Sequence, residues 1–307
     1  MPDTNYSQLT GVYNEIRRVI IGKDEVIRQV LMAILAKGHI LLEDIPGVGK
    51  TTLAVGLAKS LGLSYNRMQF TPDVMPSDLT GYHMYDKGLN EECFFEGALM
   101  CNLLLADEIN RTSPKTQAAL LEAMEESCVT VDAETIPLPD PFIVIATENP
   151  FGSAGTQKLP ESQLDRFMIR TSIGYPELDD EISIMKKEQN LELHAILNAE
   201  DLAAMQIQVH AIEVDDSVYD YIARLAKATR NDAMIDQGIS PRGSISLLSM
   251  AKACAYLNER NFCIPDDVKE VFSSVVAHRL IMKTGFAAET AINRILKDTP
   301  APRAGRR

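Results

Sequence analysis

One run, Leu41 to Thr52 (LLEDIPGVGKTT), constrains the fold of this chain more than any other. It closes an apolar stretch with a tight Pro-Gly-Val-Gly turn and follows the turn at once with a lysine and a threonine. That order reads as strand, phosphate-binding loop, helix. In the loop of Pro46, Gly47, Val48 and Gly49, backbone N–H groups converge on phosphate oxygens. Lys50 reaches the β and γ phosphates, Thr51 offers a hydroxyl to Mg²⁺, and Thr52 continues into a helix whose positive amino end adds attraction. The pattern G-x-x-x-x-G-K-[ST] has its first glycine at position 44, which here is Asp44. Aspartate tolerates the left-handed conformation better than most residues, so the loop is expected to hold.

Composition narrows the partners. The net charge of −13 and pI near 4.9 argue against nucleic acid, whose phosphate backbone needs clustered cations. Arg303, Arg306 and Arg307 form too short a basic tail to reverse this. The amino-terminal MPDTNYSQLTG has no charged region followed by an apolar run, and no stretch of about eighteen apolar residues occurs, so neither secretory signal nor transmembrane span is expected. A cytoplasmic location follows as the expectation. The five cysteines include no C-x-x-C pair, and the five histidines are scattered, which fits reduced thiols and no zinc site.

Helical spacing covers Tyr6 to Val19 and Asp24 to Lys37, with Gly22 between them. His39 to Glu43 and Ser64 to Phe70 read as strands around a helix from Thr51 to Leu61. The polar, turn-rich TPDVMPSDLTGYHMYDKG signals an insertion. Leu103 to Leu105 is a buried strand core, Ser113 to Glu126 a helix, Cys128 to Leu138 a hairpin, and Phe142 to Ala146 another buried strand. These alternations imply an α/β domain with a central parallel sheet over residues 1–176, its ligand at the strand carboxyl ends. Helices alone are expected over 177–297, and 298–307 reads as a frayed tail.

Asp107 and Glu108 end the Leu103 strand where phosphoryl transfer needs one acid for the metal shell and another for the attacking water. Asn149 ends the next strand, and its amide suits that water or the γ-phosphate; the plainer alternative is an Asn-Pro turn with Pro150. Arg166 and Arg170 flank a helix before the following strand. Either suits insertion into a neighbour's nucleotide site, or a surface ion pair with Glu161 or Asp165. Arg242, opening a helix in the second domain, could bring that domain onto the γ-phosphate or be a first-turn surface cation.

Together the phosphate loop with Asp44, ADEINR (106–111), ATENP (146–150), LPESQLDRF (159–167) and SPRG (240–243) resemble the MoxR family of AAA+ ATPases, from about Tyr6 to Lys283. The resemblance implies an ATP- and Mg²⁺-dependent ATPase with a helical lid. It makes Lys50 and Thr51 the Walker A residues, Asp107 and Glu108 Walker B, Asn149 sensor one, Arg166 the arginine finger and Arg242 sensor two, with Ile21 and Gly22 bordering adenine. Arg111 and Lys115 rank below Arg166 as trans-acting cations. Glu148 departs from the more frequent ATQNP. An arginine finger works across a subunit boundary, so the resemblance implies a homo-oligomeric ring, a hexamer. It also implies a chaperone-like motor that matures protein clients, sometimes inserting metal or cofactor, with a von Willebrand factor A domain partner. The alternatives are a nucleic-acid motor, a metal-chelatase ATPase subunit and a regulatory module without turnover. Two acids at the hairpin tip, Asp132 and Glu134, disfavour the first; the intact Asp107, Glu108 and Asn149 disfavour the last.

Overall fold

Side chains alternate across a strand, so a sheet covered on both faces must feed two cores. The computed structural model of the chain describes residues 2–86, 88, 90–149, 159–186 and 192–302. Pro150, Arg303, Arg306 and Arg307 lie outside these residues. The chain opens with α1 (Pro2–Arg17) and α2 (Asp24–Leu35), enters β1 (Ile40–Glu43), and passes through the phosphate loop into α3 (Lys50–Ser60) and β2 (Tyr65–Gln69). The insertion is a short helix, α4 (Pro76–Thr80), and an antiparallel hairpin of β3 (Gly81–Asp86) and β4 (Glu91–Glu96). Next come β5 (Leu103–Asp107), a 3-10 turn at Ile109–Arg111, and α5 (Pro114–Glu126). The hairpin of β6 (Cys128–Val131) and β7 (Glu134–Pro137) turns at Asp132 and Ala133, both with positive φ, as a two-residue hairpin requires. Then follow β8 (Ile143–Glu148), α6 (Glu161–Leu164) and β9 (Ile169–Thr171).

Five strands pair in the order β2-β5-β8-β1-β9, all parallel. Ile40, Leu42, Leu103, Leu105, Ile143 and Ile145 face a core shared with α1, α2 and α3. Leu41, Leu104, Ala106, Val144 and Ala146 face the opposite core, beneath α5 and the β6–β7 hairpin. The carboxyl ends of β1, β5 and β8 thus share one edge of the sheet.

Beyond the sheet lie α7 (Leu178–Lys186), α8 (Ala199–His210), β10 (Glu213–Val214), α9 (Asp216–Asn231), β11 (Ile235–Gln237) and α10 (Pro241–Leu257). The order ends with β12 (Phe262–Cys263), α11 (Pro265–Val276), a 3-10 turn at Ala277–Arg279, β13 (Ile281–Met282) and α12 (Ala288–Asp298). Helices dominate as expected. Two short pairings add to them, β10 with β12 and β11 with β13, each too brief to show a period of two in the sequence. Ahead of α8, residues 192–198 cross the first unit, where Ile196 N–H donates to Ser60 O at 2.9 Å and His194 N–H to Glu15 Oε1 at 3.0 Å. Leu202, Leu247 and Met250 of the lid share one apolar core with Ile27 and Leu31 of α2. The fraying expected after Asp298 is corrected for its first residues: Thr299 is buried, and Arg224 Nη1 donates to Pro300 O at 2.9 Å.

Candidate nucleotide site

Gly47 (φ 89°) and Gly49 (φ 100°) are both left-handed, a conformation that strains any residue with a Cβ. The chain therefore turns sharply there, and α3 starts at Lys50 with its first N–H groups lacking intrahelical partners. Val48 lies between the two glycines, half-buried against the core, and Pro46 precedes them at the surface, with Thr51 and Thr52 in the first turn of α3. Lys50 Nζ donates to the Asp44 carbonyl at 2.8 Å. Burial lowers the Lys50 pKa from its ordinary value, while the charges of Asp107, Asp44 and Glu108 oppose that fall.

Asp44 is not left-handed, so the expectation built on its tolerance of that conformation is corrected. Its side chain explains its presence. The buried carboxylate accepts from Ser172 Oγ at 2.9 Å, Ile173 N–H at 2.5 Å and Gly174 N–H at 3.1 Å. It fastens the phosphate loop to the strap that leaves β9 for α7. Ile20 Cδ1 lies 3.5 Å from where a Gly49 Cβ would stand, so Ile21 and Gly22 sit beside the loop. Gly22 has φ 70° and no room for a Cβ, which would fall 1.8 Å from the Asp180 carboxylate. Lys23 Nζ donates to Tyr175 O at 2.7 Å, closing the far side.

At the end of β5, Glu108 adopts φ 57°, ψ 51°, a sparsely populated region for a glutamate and one that clusters at functional sites. The buried Thr147 stabilises this turn. Its Oγ1 donates to Asp107 Oδ1 at 2.6 Å and accepts the Glu108 N–H at 2.9 Å. Arg67 Nη2 holds Asp107 Oδ2 at 2.8 Å. Glu108 Oε2 receives Arg111 Nη1 at 2.7 Å and Gln69 Nε2 at 3.1 Å. Asn149 directly follows β8, whose last residue Glu148 accepts the Asp44 N–H at 3.1 Å, so the amide stands at the same sheet edge. A hydroxyl on Thr51, carboxylate oxygens on Asp107 and a left-handed glycine loop with a lysine form the hard-oxygen and cationic donor set that a Mg²⁺–triphosphate requires. The residues fit that ligand.

Arg166 and Arg242 stand elsewhere. Arg166 Nη1 donates to Leu121 O at 2.7 Å and pairs with Glu125 Oε2 at 2.9 Å; Arg242 pairs with the other oxygen of the same carboxylate. Arg166 Nε is buried and finds no acceptor among the described residues. Lys37, Gly38 and His39, which precede β1, line the same cavity of about 200 Å³. Glu125 lies at the carboxyl end of α5, a helix about 20 Å long whose amino end follows Glu108. Both arginines therefore sit at the amino ends of the strands, across the sheet from Lys50, Asp107 and Glu108. The ion pair weighed as the alternative role for Arg166, with Glu161 or Asp165, is replaced by one with Glu125. Arg170 pairs with Glu43 at 3.0 Å, and Lys115 is exposed in the first turn of α5.

Arg279, on which no sequence motif falls, fixes this arrangement. Its buried guanidinium donates to Asp165 Oδ1 at 2.7 Å, Phe167 O at 2.6 Å and Met168 O at 3.1 Å, joining the lid to the segment that carries Arg166. Thr147 falls within ATENP but draws no role from that motif, and Arg67 lies outside every motif, since an arginine on an edge strand carries no signal of its own.

A family model described as "ATPase family associated with various cellular activities (AAA)" matches residues 39–169, and an AAA lid domain model matches 227–299. The chain is 36% identical to Chaperone MoxR1 of Mycobacterium tuberculosis over 94% of its own length and 81% of that protein. It belongs to the MoxR family of AAA+ ATPases. The uncharacterized protein YeaC of Bacillus subtilis is 44% identical over 94% of this chain and 92% of its own. A crystal structure of a candidate ATPase from Cytophaga hutchinsonii superposes with a TM-score of 0.92 at 34% identity, covering 98% of this chain and 97% of the other. The MoxR-family chain thus has the AAA+ fold of central parallel sheet and helical lid. Among the described residues no helix is long and apolar enough to cross a membrane.

Proposed function

We propose that this MoxR-family protein hydrolyses ATP as a homo-oligomeric ring, a hexamer, and uses the turnover to remodel protein clients. Residues 1–176 serve as the nucleotide domain and 177–297 as the lid. The observation that carries this reading is the pairing of Arg166 and Arg242 on one carboxylate, Glu125, at the sheet edge opposite Lys50, Asp107 and Glu108. Neither guanidinium reaches the phosphate loop of its own chain from there. That position supports the reading in which each completes the site of a neighbour, with Arg242 acting in trans beside Arg166 rather than folding onto its own γ-phosphate.

Within one chain, Lys50 and the loop N–H groups bind the phosphates, and Thr51 and Asp107 would hold Mg²⁺. The ion, when bound, neutralises charge on the transferred phosphoryl oxygens. Glu108 takes the proton of the attacking water, and Asn149 orients that water. Arg111 and Gln69 hold the Glu108 carboxylate in place. Turnover by the purified chain should require Mg²⁺ and vanish in Glu108→Gln; hydrolysis retained in that variant removes Glu108 from its role.

The client side of the reading rests on kinship with a protein named a chaperone. Maturation or assembly of a protein complex, with metal or cofactor insertion and a von Willebrand factor A domain partner, is the form we propose for it. Affinity capture on Glu108→Gln with ATP tests this. A hydrolysis-stalled ring should retain a defined client or partner that the wild type releases; identical captures from both contradict the motor reading.

A further inference from the structure

The acidic helix α7 and a basic apolar groove on the lid are complementary, and one chain cannot bring its own pair together. No residue of α7 is buried. Leu178 and Met185 are each 73% exposed, and with Ile182 they form one stripe at positions i, i+4 and i+7. Asp180 points the other way, against Gly22. Asp179 and Glu181 flank the stripe, so α7 offers apolar side chains edged with negative charge.

The matching surface lies between α9 and α10. A groove of about 410 Å³ is lined by Tyr219, Ile222, Ala223, Pro241, Ile245 and Leu248, with Arg230 at its edge. Ile245 is 65% exposed, an unusual degree for an isoleucine on a helix that buries Leu247 and Met250. Arg230 is the charged residue of that lining, so the groove carries positive charge at one end where α7 carries negative.

We infer that α7 of a second copy of this chain occupies the α9–α10 groove. The inference rests on the reading of Arg242 as a trans-acting group and adds the surface that delivers it. In one chain α7 borders the nucleotide loop through Gly22, Lys23 and Tyr175, whereas the groove borders Arg242 at the other edge of the sheet. Bringing Arg242 to a neighbour's phosphates brings the groove to that neighbour's α7. The apolar stripe then loses its water, and Asp179 and Glu181 meet Arg230. Because α7 begins just past the strap that Asp44 holds, nucleotide occupancy in one subunit is coupled to the grip of the next.

The test uses the full chain. Met185→Cys and Ile245→Cys chains are purified separately, mixed with a non-hydrolysable ATP analogue, and treated with a short bis-maleimide. The expected product is a covalent dimer whose linked peptides map to positions 185 and 245. It is absent when either variant is treated alone, which controls for the five native cysteines. Independently, Glu181→Arg should raise the chain concentration needed for assembly about tenfold, and adding Arg230→Glu should recover most of the loss. If the mixture yields no 185–245 link, or links 245 to another segment or protein, while the ring forms and trans complementation of hydrolysis succeeds, the docking is overturned and the ring stands. A chain that stays monomeric with nucleotide and shows no complementation overturns both.

Discussion

Thr147 Oγ1 donates to Asp107 Oδ1 at 2.6 Å, and through that single oxygen β8, the strand that Asn149 follows, fixes the acid expected to hold the metal. The same oxygen takes the Glu108 N–H, which keeps the glutamate in its left-handed turn. Thr147→Val keeps the shape and removes the hydroxyl, leaving the Glu108 amide without its acceptor. Turnover should fall about tenfold or more with little change in KM for ATP, and Thr147→Ser should restore most of it. A Val variant with wild-type kcat would show that the two acids hold their positions unaided.

Restoring the general glycine at position 44 should harm the protein. Asp44→Gly removes one acceptor carboxylate from Ser172, Ile173 and Gly174, two of them backbone donors near the lid connection. Hydrogen bonds to charged groups contribute about 1.5–3 kcal/mol each, but water replaces part of that here. A net loss of about 2 kcal/mol in denaturant unfolding is expected, with weaker ATP binding. Unchanged stability would mean that the strap holds itself.

Arg279→Met should destabilise by about 3 kcal/mol. The guanidinium is buried against Asp165, and removing one partner strands the other in a poorly hydrated seam. Because that seam carries Arg166, turnover should also fall under conditions where the variant is still folded. Thermal unfolding together with ATPase assays at low temperature checks both outcomes.

Much of this was legible in the sequence. The apolar runs at Leu41, Leu104 and Val144 marked the strands, and the acids and amide at their ends marked the site, because a parallel sheet exposes its strand carboxyl ends to ligand. The family resemblance supplied roles for Arg166 and Arg242 but not their meeting at Glu125, which depends on how the lid packs. Periodicity does not encode the packing of distant elements. Asp44 was read through its backbone tolerance, whereas its value lies in donors 128 to 130 residues away. Thr147 was legible only as a buried strand residue until β5 and β8 were placed side by side.

Two buried histidines set an acid limit on stability. His39 accepts the Val144 N–H on Nδ1 at 3.0 Å and donates Nε2–H to Met124 O at 2.9 Å, which requires the neutral ring. Burial pulls its pKa from 6.5 down to about 4, against the smaller raising effect of the Met124 bond. Burial, then the charge of Arg279, likewise holds His278 well below 6.5. Below pH 6.5 the unfolded chain binds protons that the folded chain refuses. Stability is therefore full above pH 6.5 and declines as pH falls toward 4, where His39 alone accounts for about 3 kcal/mol. Urea unfolding at pH 7.5 and pH 5 should show the drop, reduced in His39→Gln; no difference between the two pH values would contradict it.

The central claim is that each ATP site is finished by a neighbour's Arg166. Arg166→Ala and Glu108→Gln chains, each inactive alone, can be mixed over a range of ratios with the total held constant and ATP hydrolysis followed. A mixed interface pairs an intact Glu108 from one chain with an intact Arg166 from the other, so activity should rise to a maximum at intermediate ratios. Activity that stays at the level of the inactive parents at every ratio, in rings shown to contain both chains, would contradict the account.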